Sequence, residues 1–173
     1  MKMKKILNVG CGNDTYGTHF VDLYPSRPEV KKCNLDWQKL PFKSNYFDVV
    51  YCKNVLEHLT NPGFALKEMH RVLKKGGKLI LITDNSSYFG WLLKDHAKKY
   101  EKIKLGGKDR HYSLFTPGHL ENFAKTYNFK RIKVKYIRGN FGKNIYGAFK
   151  KAISILLSLT PLAYSQILLE AVK

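Results

Sequence analysis

Apolar positions along the first half of the chain fall in short stretches, and later ones follow a helical period. Stretches at 5–10, 18–22, 31–35, 47–52 and 78–83 predict strands, most of them reading as buried. Between the last two, Phe64, Leu66, Met69, Val72 and Leu73 recur at helical spacing. Pro62 suits the start of that helix and Gly76-Gly77 its end, so the spacing predicts a helix over 62–74. A second helical stretch is expected at 119–127. After it Ile132, Val134 and Tyr136 alternate with Arg131, Lys133 and Lys135, as in a half-exposed strand. Residues 145–159 are apolar on nearly all sides apart from Lys150 and Lys151, and Pro161 ends the run before it is long enough to span a bilayer. That segment needs burial: over a sheet face, in a dimer interface, or in the interfacial layer of a membrane.

The first strand runs directly into Gly10-Cys11-Gly12-Asn13. Glycine accepts backbone angles that close such a turn, and its missing side chain lets main-chain N–H groups approach a ligand. The next apolar stretch ends on Asp22, about where a carboxylate at a neighbouring strand tip accepts hydrogen bonds from a ribose. Asp36 follows in Cys33-Asn34-Leu35-Asp36-Trp37, ahead of Leu40-Pro41-Phe42 and Phe47-Asp48-Val49-Val50. Further on stand Val55-Leu56-Glu57-His58-Leu59 and Arg71-Val72-Leu73-Lys74-Lys75-Gly76-Gly77.

In this order the motifs resemble the class I S-adenosylmethionine-dependent methyltransferases of the type 11 group, over roughly residues 5–138. The resemblance implies an α/β fold: a Rossmann-like, mostly parallel seven-stranded sheet whose last strand, 166–172, is antiparallel. It also implies S-adenosylmethionine as cofactor and S-adenosylhomocysteine as product. Gly10, Cys11, Gly12 and Asn13 would lie at the methionine end, with Asp22 and Leu23 at ribose and adenine. Asp36 and Trp37 would lie at adenine, and Asn8 and Asn54 complete the expected cofactor set. Asn8 replaces the acidic residue usual before the glycines. The nine residues between Gly12 and Asp22 are too few for the usual connecting helix, so the N-terminal half is shortened and one sheet face is expected to be thinly covered. Since the first predicted strand lies close to the first residue, the usual N-terminal lid helix is not expected either. Together these departures leave room for a non-catalytic cofactor-binding or scaffold subunit.

Methyl transfer relies on alignment more than on a protein nucleophile. Candidates for taking a proton from the acceptor are His58, His111 and Tyr112, and Asp84-Asn85 could face the same pocket or form a plain turn. Glu57, His58 and His111 resemble part of the metal-ligand set of small-RNA 2'-O-methyltransferases, but Asn54 stands where another glutamate would be, so no metal is expected.

Composition indicates one domain over 1–173, with 44% hydrophobic residues. Three cysteines without metal spacing and no leader-like stretch suggest a reduced, cytoplasmic setting. The formal charge of +18 is uneven, with sixteen basic and four acidic residues from Lys94 to Lys151. This suits an anionic acceptor or partner such as RNA or a phosphorylated lipid or glycan. Tyr88, Phe89, Trp91, Tyr100, Tyr112, Phe115, Tyr127 and Tyr136 are available for stacking on bases. The acceptor is unidentified and a homodimer is open, while no transmembrane helix is expected.

Overall fold

The computed structural model describes residues 3–91, 111–139 and 145–173. Seven strands form one sheet: β1 (Ile6–Val9), β2 (His19–Asp22), β3 (Val30–Lys32), β4 (Phe47–Lys53), β5 (Leu73–Asp84), β6 (Lys130–Ile137) and β7 (Gln166–Val172). Their order is β3-β2-β1-β4-β5-β7-β6. The first five strands run parallel, and β7 inserts antiparallel between β5 and β6. The mostly parallel sheet with a reversed last strand is the architecture that the motifs implied.

The helices α1 (Pro62–Val72) and α2 (Pro117–Thr126) pack against the β5–β7–β6 part of the sheet. Asn61 caps α1, its side-chain oxygen accepting from the Phe64 N–H, while Thr116 caps α2 through His119. Leu66, Met69 and Val72 are buried against Phe47, Leu79, Leu81, Ile167 and Leu169, which form the core. In β6, Ile132, Val134 and Tyr136 pack on that core while the intervening lysines face out.

Helix α1 ends earlier than the glycines suggest, and β5 starts earlier. Leu73 already pairs with Phe47, and the register then jumps so that Val49 pairs with Lys78. Residues 74–77 bulge out, with Gly76 at φ +75°. The bulge is clipped to the end of β7 by Gly76 N–H to Lys173 O (2.9 Å) and Lys173 N–H to Gly77 O (3.0 Å). The glycines therefore serve a strand bulge. Strand β3 is shorter than the expected 31–35, because Asn34 accepts from the Asp36 N–H and turns the chain at 3.0 Å.

The β1–β2 crossover, residues 10–18, contains no helix. Side chains hold it instead. Thr18 Oγ1 accepts from Ile6 N–H and donates to Ile6 O, and Asn8 Nδ2 donates to Tyr16 O. The Tyr16 ring lies 4.8 Å from that of Tyr51 and Arg27 lies over Phe20, so aromatic and guanidinium groups cover the shortened region. The apolar C-terminal segment does not supply that cover. Helix α3 (Ile145–Leu156) packs instead on the 161–163 turn, at the β5–β7 side.

Arg71, from the Arg-Val-Leu motif, ties α1 to the loop before β4. It forms a two-point pair with the buried Glu68 (2.7 and 2.8 Å) and donates to Leu40 O and Phe42 O. Burial pushes the Glu68 carboxyl up, but the Arg71 guanidinium and the Leu40 N–H outweigh it and hold the carboxyl below its ordinary value.

Candidate active site

A cleft of about 330 Å³ opens beyond the carboxyl ends of β1, β2 and β4, where the strand order changes direction. This is the switch point at which open α/β sheets take ligands, and the volume lies within the small-molecule range of roughly 300–1,000 Å³. Gly10 has φ +66°, and a Cβ there would stand 2.2 Å from a Val55 methyl, so the turn and the 54–59 segment can close together only over glycine. Gly12, at φ +49°, has nothing within 4 Å of where a Cβ would be, so its bare backbone faces open space. Asp22 accepts from Gly12 N–H through one oxygen and from Tyr24 N–H through the other, both at 2.8 Å, which fixes the carboxylate at the cleft. Cys33, Asn34, Leu35 and Asp36 form the far wall, and Asp36 is held by Asn61 N–H at 2.8 Å.

Of the expected cofactor residues, Gly10, Gly12, Asp22, Leu23, Asp36 and Asn54 line this cleft. Asn8, Cys11, Asn13 and Trp37 are not among the described lining residues. Asn8 is 2% exposed and its amide reaches the crossover loop, whereas Trp37 is 67% exposed. Burial, followed by the Asp22 charge, raises the Cys11 thiol, and burial raises Cys33, which keeps both protonated. Tyr24 also lines the cleft and carried no motif signal, while Val55 and Leu59 come from the 55–59 motif without having been expected at the cofactor.

A second cleft, about 540 Å³, adjoins the first. Its lining includes Lys53, Glu57, Asp84, Trp91, His111 and Gln166, and it shares Asn54 and His58 with the first cleft. His111 Nδ1 is 3.5 Å from the Asp84 carboxylate, and the His58 and His111 rings are 4.6 Å apart in an edge-on contact. Asn54, at φ +54°, accepts from Gln166 Nε2 at 2.8 Å, which links the end of β4 to the start of β7. Glu57 is 1% exposed and accepts from Thr83 Oγ1 at 2.7 Å, while its carbonyl receives Tyr112 N–H at 2.8 Å. That backbone bond sets His111 over the cleft but leaves the Tyr112 ring 55% exposed and off the lining. Asp84 faces this cleft. Asn85 instead turns to Pro161 O and Tyr164 O, at 2.9 and 2.7 Å.

Among the described residues no group of three histidine, cysteine or acidic side chains is placed to hold a metal ion. Tyr88, Phe89 and Phe115 are buried, so of the expected stacking residues these are inaccessible to bases; Tyr100 lies outside the described residues. No described helix is long and apolar enough to cross a membrane.

The turn, the carboxylates and the strand order build a cleft at the sheet's switch point, and known proteins share this fold. Residues 20–81 match the family described as "Methyltransferase domain", type 11. The match covers about a third of the chain, and over its full length the chain shares the fold of S-adenosylmethionine-dependent methyltransferases. A stretch of 47 residues is 53% identical to the ubiquinone/menaquinone biosynthesis C-methyltransferase of Chromobacterium violaceum, covering 27% of this chain and 19% of that protein. The chain spans 40%, 19% and 44% of the first curated relatives it matches. The fold is shared with a Thermotoga maritima S-adenosylmethionine-dependent methyltransferase, a possible histamine N-methyltransferase. That match has a TM-score of 0.66 at 19% identity and covers 100% of this chain and 84% of that one. It is also shared with a Haloferax volcanii protein solved in complex with the Trm112 methyltransferase activator, with a TM-score of 0.62 at 13% identity over 98% and 81% of the two chains.

Proposed function

We propose that residues 1–173 work as one domain that transfers a methyl group from S-adenosylmethionine to an acceptor held in the second cleft. The observation that carries this reading is the meeting of the two clefts at Asn54 and His58. When bound, S-adenosylmethionine supplies an electrophilic methyl group on a positively charged sulfur. The Gly10–Gly12 turn would receive its methionine end and Asp22 its ribose. Leu35 and Asp36 would line the adenine.

With the cofactor in that orientation, the acceptor's attacking atom approaches from the Trp91–His111 side. His111, paired with Asp84, would take the acceptor's proton as the methyl group passes to the acceptor, leaving S-adenosylhomocysteine. His58 sits at the junction and orients His111 through their ring contact. Alignment of two separately held reactants provides a large share of the rate. The basic composition favours an acceptor that carries negative charge.

The test is calorimetric titration with S-adenosylmethionine, followed by transfer of labelled methyl into host extract fractionated by nuclease, protease and solvent. Micromolar cofactor binding with label in one fraction is expected and names the acceptor class. Failure to bind at millimolar cofactor would contradict the reading. Binding without transfer into any fraction would favour the cofactor-binding scaffold that the shortened N-terminal half permits.

A further inference from the structure

Helix α3 is turned inside out relative to an ordinary surface helix, which points its apolar side at the core. Its inward positions are small or polar. Gly147 is buried, and Ser154, 1% exposed, donates from Oγ to Ala163 O at 2.7 Å. Its outward positions are large and apolar: Phe149, Ile155 and Leu156 are 53%, 56% and 84% exposed, and Leu159, just beyond the helix, is 99% exposed. At 100° per residue the three helical positions fall on one side of the axis, opposite Gly147 and Ser154, and Leu159 follows in the turn after them. A contiguous apolar stripe of this kind on a basic protein marks a surface that meets something.

The helix is anchored at the rim of the second cleft. Pro161 O, in the turn against which α3 packs, accepts from Asn85 next to Asp84, and Tyr164 hydroxyl donates to Ser158 O at 3.0 Å just past the helix. The chain then enters the cleft wall directly at Ser165 and Gln166. Arg138 lies 5.7 Å over the Tyr164 ring, and exposed Lys151 flanks the stripe. Between Glu121 and Glu170 the sequence has nine lysines and arginines and no acidic residue. Two copies joined through this face would bring like charges together, and an RNA would leave the apolar stripe in water. An anionic lipid surface satisfies both, taking the stripe into the boundary of the acyl chains and the cations at the headgroups.

We infer that the outward face of α3 with Leu159 docks on an anionic membrane surface, setting the second cleft beside it. The acceptor consequence, a molecule presented by that membrane, rests on the function proposed above; the docking itself does not.

The full chain is sedimented with phosphatidylcholine vesicles with and without phosphatidylglycerol, alongside F149S/L156S/L159S and K151E. Binding at least tenfold stronger to the anionic vesicles is expected, lost in the triple variant and weakened about fivefold by K151E. Cofactor affinity, measured on the same preparations, stays within about twofold in all variants, which shows that they are folded. Equal binding to neutral vesicles, or unchanged binding by the triple variant, would overturn the inference. So would a wild-type dimer that the triple substitution splits, since the stripe would then belong to a second copy. Absent cofactor binding in the wild type would sink the proposed function and leave the vesicle comparison to decide docking by itself.

Discussion

The two clefts share Asn54 and His58 but are built in different ways. The first is made by residues 10–36 and 54–59, close in sequence, and its walls are largely backbone turns and apolar side chains around Asp22 and Asp36. The second draws on 53–58, 84, 91, 111, 139 and 165–166, and ionisable side chains dominate it. The first needs only the pairing of β1 with β2 and β4 and of β2 with β3, all within the first sixty residues. The second exists only once β7 has inserted between β5 and β6, bringing Gln166 to Asn54. On the proposed reading, the cofactor cleft thus sits on motifs from the first sixty residues and the acceptor cleft on longer-range assembly.

Substitutions that separate the clefts sharpen this contrast. The largest effect is expected for His111→Ala, which should lower methyl transfer by roughly 10²–10⁴-fold while the cofactor dissociation constant stays unchanged. Steady-state rates and calorimetry on the same variant check both halves. Arg71→Ala touches neither cleft. It leaves the carboxylate of Glu68, 5% exposed in its side chain, without its partner and frees the loop at Leu40 and Phe42, so it should cost about 2–4 kcal/mol of stability in urea denaturation. Asp22→Ala should do the reverse of His111→Ala. Cofactor binding weakens by about 1–3 kcal/mol, and the rate at saturating cofactor changes little. If the two variants altered both quantities alike, the division between clefts would be broken.

The pH dependence is the mildest test and reports the scaffold alone. Burial lowers His19 and His70 below the ordinary histidine value of 6.5, so the unfolded chain binds their protons first and stability should begin to decline as pH falls through that value. Asp48, paired with Lys74, and Glu170, paired with Lys78, are held below the ordinary carboxylate range by those hydrogen bonds, as Glu68 is by Arg71. Their stabilisation is present above the ordinary carboxylate values and is lost as pH drops through their lowered ones. Urea midpoints from pH 8 to 3 should fall in two stages, and H70F should flatten only the upper stage.

The same contrast explains what could be read from the residues. Strand stretches, the α1 period and the alternation in β6 are local, and each appears within a residue or two of its expected place except β3, which ends three residues early, and β5, which starts five residues early at the 74–77 bulge. Gly10, Gly12 and Asp22 were legible because the turn needs those residue types at that spacing. Asn8 was read by position in a motif, yet the short crossover draws its amide to Tyr16. Gln166, Ser165 and Gly139 carried no local signal; only the pairing of β7 with β5 and β6 brings them to the cleft. The apolar 145–159 segment announced a need for burial without its direction. Gly147 and Ser154 on its inner side give that direction, and the sheet face left thin by the short crossover is covered by Tyr16 and Arg27 instead.

A crystal structure with S-adenosylhomocysteine bound tests the central claim most directly. The account predicts ribose hydroxyls within hydrogen-bond distance of Asp22 and the ligand's sulfur directed past Asn54 and His58 into the second cleft. A ligand bound elsewhere, or with its sulfur facing away from His58 and His111, would contradict it.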